Sequence, residues 1–153
     1  MTDSTELEAA LGRMVYWAAA LEMSMRFVGE MLAPTGDEKD ALADTKMTGR
    51  VLSAVVGIAS DRSEITPKEL DELKEIVKDA RSSLEIRNDY IHGAWGEVDG
   101  VLLAMNRRPG TFRTRPLAVA DLEALATELQ GLVNRTTDWS LAVFRKTHPQ
   151  VFR

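Results

Sequence analysis

A chain of 153 residues has the length of a single domain and can bury a core without covalent staples. It contains no cysteine, which excludes disulfides, thiolate metal sites and a cysteine nucleophile and fits a reducing, cytoplasmic setting. The net charge of −5 argues against a protein that coats nucleic acid indiscriminately. The opening Met1 to Glu8 is acidic, so no signal peptide is expected, and charge interrupts every apolar stretch before it reaches membrane-spanning length.

In chain order, Leu7, Leu11, Met14, Ala18, Leu21, Met25, Val28 and Leu32 recur at alternating steps of four and three, the seam of a long first helix. Thr5 and Glu8 have capping-box spacing at its start, and Pro34-Thr35-Gly36 ends it. Residues 34–46, with Asp37, Glu38, Asp40 and Asp44, read as a polar loop. A second helix is expected over Met47–Ala59, burying Met47, Val51, Leu52, Val55, Val56 and Ala59. Thr66-Pro67-Lys68-Glu69 is a capping box with proline at the first helical position. It opens a third helix whose stripe is Leu70, Leu73, Ile76, Val77, Ala80 and Leu84, and Gly93 stops it after His92.

Beyond Gly93 the period changes to that of strands. Ala94–Val98 and Val101–Asn106 flank Asp99-Gly100, a two-residue hairpin signal, and Thr111–Arg115 follows the turn at Arg108-Pro109-Gly110. A last helix over Val119–Lys146 carries Leu122, Leu125, Leu129, Leu132, Thr136 and Val143 at heptad-like spacing. The fold class is therefore mainly α, one domain over 1–153: a bundle of about four helices with a small β-ribbon before the last. The seams on the first and last helices exceed what one small bundle must bury, so a homodimer is expected.

The chemistry concentrates in Arg87-Asn88-Asp89-Tyr90-Ile91-His92 at the end of the third helix. Asn88 and His92 are four residues apart and share a face. Arg87 lies about 140° around the axis from His92 and roughly 7.5 Å along it, an arc that a long guanidinium can cover. An imidazole titrating near neutrality transfers protons, a guanidinium matches phosphate oxygens, and an amide can hold the imidazole or a ribose hydroxyl. Those groups suit cleavage of RNA, whose own 2′-hydroxyl supplies the nucleophile; no metal or other cofactor is called for. The helix dipole and the neighbouring Asp89 should both favour the protonated form of His92.

The pattern Arg87-Asn88, three residues, then His92, closing a helix in a mainly α domain, resembles the HEPN superfamily, whose signature is an arginine, a polar residue and a histidine after a short spacer. The resemblance implies a HEPN-like bundle and a metal-independent endoribonuclease, a toxin or defence component, acting as a homodimer with an antitoxin protein as a possible partner. It assigns Arg87, Asn88 and His92 as the working set. The alternative it leaves open is an inactive module of the same fold that binds nucleotide, RNA or a partner protein.

Blander roles stand beside these. His92 by itself reads as a helix cap and Arg87 as an ion-pair partner for Glu22 or Glu30 of the first helix; a Glu22 that reaches the motif and orients Arg87 is the lesser alternative. Glu22 and Arg26 read first as a surface pair. Trp95 reads first as a core residue anchoring the ribbon, with base stacking as the alternative. Arg107, Arg108, Arg113 and Arg115 stand in a stretch without acids, either gripping a phosphate backbone or lining a solvated strand face.

Overall fold

The computed structural model describes residues 4–152. Among them are five helices and one sheet: α1 (Ser4–Leu32), α2 (Gly36–Asp44), α3 (Thr48–Ser60), α4 (Pro67–His92), β1 (Ala94–Val98), β2 (Val101–Arg108), β3 (Thr111–Pro116) and α5 (Val119–Thr147). Their contacts divide into two compact units. One takes residues 4–18 and 82–130, the other 19–81 and 131–152, so α1, α4 and α5 each contribute to both.

The unit of 19–81 and 131–152 is all helical. Its Leu21, Met25, Val28, Leu32, Val51, Leu52, Val55, Leu73, Ala80 and Val143 are no more than 1% exposed. The capping box at α4 forms as its spacing requires: the Thr66 N–H donates to Glu69 Oε2 at 2.8 Å, and the Glu69 N–H donates to Thr66 Oγ1 at 3.2 Å. Trp139 Nε1 donates to the Glu69 carbonyl at 2.7 Å and Lys146 pairs with the Glu69 carboxylate, which tie α5 to the start of α4.

The structure corrects several expectations in this unit. Residues 34–46 are not simply a loop, because Thr35 caps a short helix there, accepting from the Glu38 N–H at 3.3 Å while its hydroxyl donates to the Glu38 carboxylate at 3.0 Å. Asp37 and Glu38 in the first turn suit the positive end of the helix dipole, and Leu42 is the residue that α2 buries. Met47 is the N-cap of α3 and is 62% exposed, so it lies off the core stripe; Val56 is half-buried. Arg26 sends its guanidinium to the Leu42 and Thr45 carbonyls at 2.8 and 2.5 Å, satisfying the orphan acceptors at the end of α2.

The unit of 4–18 and 82–130 holds the sheet, antiparallel in the order β1-β2-β3. Asp99 and Gly100 both have positive φ, the signature of a type I′ hairpin, and they set the register Val98↔Val101 through Ala94↔Met105. Pro109 and Gly110 make the second tight turn, with Arg108↔Thr111 as its closing pair and Gly110 at φ 76°. Strand residues alternate between faces, so Trp95, Ala104, Asn106, Arg108, Arg113 and Arg115 share one face. Val98, Val101, Met105, Arg107 and Phe112 share the other, where Phe112 is 66% exposed.

The corner from α4 into β1 is tight. A Cβ at Gly93 would lie 2.6 Å from the Asp89 carbonyl oxygen and 2.8 Å from Asn106 Nδ2, and both groups are already bonded to each other. Gly93→Ala should therefore cost about 1–3 kcal/mol, the usual range for forced overpacking. Thermal denaturation should register a Tm lower by roughly 3–10 °C. An unchanged melt would show that the corner opens freely.

Candidate functional site

Among the groups of the last two turns of α4, Asp89 is 1% exposed, although it lies between the half-buried Asn88 and the exposed His92. A carboxylate withdrawn from water must be paired, and the sheet supplies the partners. Arg115 Nε donates to Asp89 Oδ2 at 2.8 Å, Arg108 Nη2 to Oδ1 at 3.2 Å, and Arg113 Nη1 stands 3.7 Å from Oδ2. One helical turn earlier, Glu85 Oε1 accepts from Arg108 at 3.1 Å and from Arg113 at 2.9 Å. Two carboxylates four residues apart on α4 thus face three guanidiniums projected by alternate residues of β2 and β3.

Backbone bonds complete the grip. The last four carbonyls of a helix have no intrahelical partner. In α4, the Asp89 carbonyl accepts from Asn106 Nδ2 at 2.6 Å and the Tyr90 carbonyl from Trp95 Nε1 at 2.9 Å. The cations also meet the negative end of the helix dipole.

Asp89 does not present an uncommitted charge to the His92 imidazole, because Arg115 and Arg108 hold it. Burial pushes the Asp89 carboxyl up, but the hydrogen bond and charge of Arg115, with those of Arg108, outweigh it and leave the group below the ordinary aspartate range. Tyr90, 4% exposed, is pushed up by burial and by Asp121, against a smaller pull from Arg115, so its phenol stays protonated at neutral pH.

The sequence-derived site residues fall as follows. His92 is exposed at the end of α4, and Asn88 is half-buried one turn before it. Arg87 is half-buried, with its Nε out of reach of solvent. Glu22 is half-buried on α1. Arg108, Arg113 and Arg115 keep between 34% and 41% of their side chains exposed while paired to Glu85 and Asp89. Arg107 stands apart from them on the opposite face of the sheet, across from Phe112. Trp95 is not a core residue: it lies on an edge strand, 49% exposed, held by its indole N–H while much of the ring remains open.

Sequence reasoning missed Glu85 and Asn106 as members of this cluster and misjudged Asp89. The available signal was the pair Glu85 and Asp89 at i,i+4, followed by an arginine-rich ribbon without acids of its own. Elsewhere, a cleft of about 780 Å³ lies between α4 and α5 in the all-helical unit, with Glu72, Glu75, Asp138 and Trp139 in its lining; it contains no histidine. Among the described residues no group of three or more histidine, aspartate or glutamate side chains could hold a metal ion, and no helix is long and apolar enough to cross a membrane.

Asp89→Asn should remove one buried charge and leave three arginines that can partly resolvate, at a cost of about 1.5–3 kcal/mol. The pH dependence has a definite sign. A carboxyl depressed in the folded state stabilises fully above its unfolded pKa, about 3.9, and loses that contribution as pH falls through its folded value. Chemical denaturation should therefore show wild type more stable than Asp89→Asn at pH 7, with the gap closing below about pH 4; a gap constant down to pH 2 would contradict the assignment. Comparisons with family models, with curated proteins and with solved structures find no match, so a functional reading rests on the residues themselves.

Proposed function

We propose that the protein is a metal-independent endoribonuclease of the HEPN type working at His92. The observation that supports this most is the exposed imidazole at the end of α4, with Asn88 one turn before it and the arginines of β2 and β3 gathered around the same helix end. In the reaction the 2′-oxygen of RNA attacks the adjacent phosphorus. The O2′–P bond forms as the P–O5′ bond breaks, giving a 2′,3′-cyclic phosphate and a 5′-hydroxyl. The proton leaving the 2′-hydroxyl and the proton reaching O5′ are what an imidazole near neutrality can carry. Asn88 positions, and Arg87 stabilises charge developing on the phosphate. The half-exposed ring of Trp95 offers a base a stacking surface, and Arg107 a phosphate contact.

The reading carries with it a cytoplasmic protein, a role as toxin or defence component, an antitoxin partner and a homodimer. The expected dimer seam needs revision, because Met14, Ala18, Leu21, Met25, Leu122, Leu129, Leu132 and Val143 are at most 2% exposed in the single chain. Support for a dimer shifts to the outer face of the sheet, where Val98, Val101 and Phe112 are 51%, 48% and 66% exposed. One observation favours the alternative of an inactive binding module: Arg87 is half-buried rather than displayed beside His92.

The test is RNA cleavage in EDTA by wild type and by folded His92→Ala, with both preparations sized by light scattering. Loss of His92 should slow cleavage by about 100- to 10,000-fold. The products of wild type should end in cyclic phosphate and the particle should have twice the chain mass. Equal cleavage by both proteins would remove His92 from the chemistry, and a monomer would remove the dimer.

A further inference from the structure

The geometry points to a seat for one phosphate group between Arg108 and Arg113, which Glu85 fills in this structure. A single oxygen, Glu85 Oε1, receives Nη1 of Arg108 at 3.1 Å and Nη1 of Arg113 at 2.9 Å. Two guanidiniums converging on one anionic oxygen is the arrangement that binds phosphate, and the carboxylate imitates it. The seat does not depend on Glu85 for its shape. The buried Asp89 holds Arg108 at 3.2 Å and stands 3.7 Å from Arg113, and Arg115 Nε closes the cluster on Asp89 at 2.8 Å.

Glu85 itself is held loosely. Its side chain is 45% exposed, and an ion pair so open to water contributes little. In the closed cluster three cations face two carboxylates; when Glu85 swings into solvent, three face only Asp89, and the site is distinctly positive. A phosphate with several acceptor oxygens can then take both arginines. The cluster is therefore a site for one phosphate rather than part of a continuous basic track, since Arg107 points from the other face of the sheet.

The occupant follows from, and rests on, the nuclease reading. Glu85, Asp89 and His92 fall at i, i+4 and i+7, one stripe of α4, and His92 is about 10 Å along the axis from Glu85. An RNA phosphodiester seated at Arg108 and Arg113 would lie on the same side of the helix as the imidazole. Glu85 would act as a built-in competitor that any RNA must displace.

Binding alone tests this, without reference to cleavage. Inorganic phosphate, a nucleoside monophosphate and a labelled oligouridylate are titrated into wild type, Glu85→Gln, Glu85→Ala and Arg113→Gln, each checked for its fold by circular dichroism. Both Glu85 variants should bind all three about fivefold more tightly. Arg113→Gln should bind about tenfold more weakly, and for the oligouridylate its dependence of log affinity on log salt should be shallower by about 0.7. Glu85 variants that bind phosphate no more tightly than wild type overturn the seat, whatever His92→Ala does to cleavage. Tightening in a protein that cleaves no RNA keeps the seat and removes the nuclease. A gain confined to phosphate and the mononucleotide overturns RNA as the occupant and assigns the seat to a nucleotide.

Discussion

Asp89 is the contact on which the sheet-bearing unit depends. A carboxylate at 1% exposure would be untenable alone, and three arginines, one from β2 and two from β3, make it stable. The sheet also caps the loose end of α4, through Asn106 of β2 and Trp95 of β1. The ribbon and the helix end are therefore one construction: α4 supplies anionic and carbonyl acceptors, the sheet supplies donors, and Gly93 lets the chain turn between them. Removing the carboxylate leaves three cations with only Glu85 as counter-ion, which is why its loss should matter more than that of any single arginine.

This arrangement changes how the Arg87-Asn88-Asp89-Tyr90-Ile91-His92 segment reads. Its six residues divide by burial. Asp89 and Tyr90 are buried, Ile91 and His92 are exposed, and Arg87 and Asn88 are half-buried. The helix places Arg87 about 140° from His92, whereas Glu85 and Asp89, with the arginines they gather, share the stripe of the imidazole. Positive charge on that side of α4 thus comes from the ribbon, which the HEPN resemblance does not cover. Any chemistry at His92 would draw on the arginines of the ribbon as well as on the residues the motif names.

Much of this architecture is legible in the sequence because local rules decide it. Seam spacing located α1, α3, α4 and α5; the Thr66-to-Glu69 capping box began α4; and Asp99-Gly100 fixed the hairpin register. The failures have physical reasons. Thr35-Gly36-Asp37-Glu38 is itself a capping-box spacing, but a nine-residue helix burying only Leu42 leaves almost no periodic signal. Met47 fits the stripe of α3 by spacing, yet it precedes the first helical residue and is thrown outward. Trp95 has the size of a core residue, but an edge strand leaves one side of it uncovered. Asp89 is the instructive case: charged residues read as surface unless paired, and the pairing comes from strands 19 to 26 residues away. Of the candidate site, the motif was legible and its surroundings were not.

The most direct test of the central claim is amide hydrogen exchange on wild type and Asp89→Asn under conditions where both remain folded. If Asp89 clamps the sheet to α4, protection should fall selectively in β1, β2, β3 and the last turn of α4, while the amides of α3 and of α5 beyond residue 131 keep theirs. Exchange that rises uniformly along the chain, or that does not change in the sheet, would contradict the claim that this one buried carboxylate organises the unit.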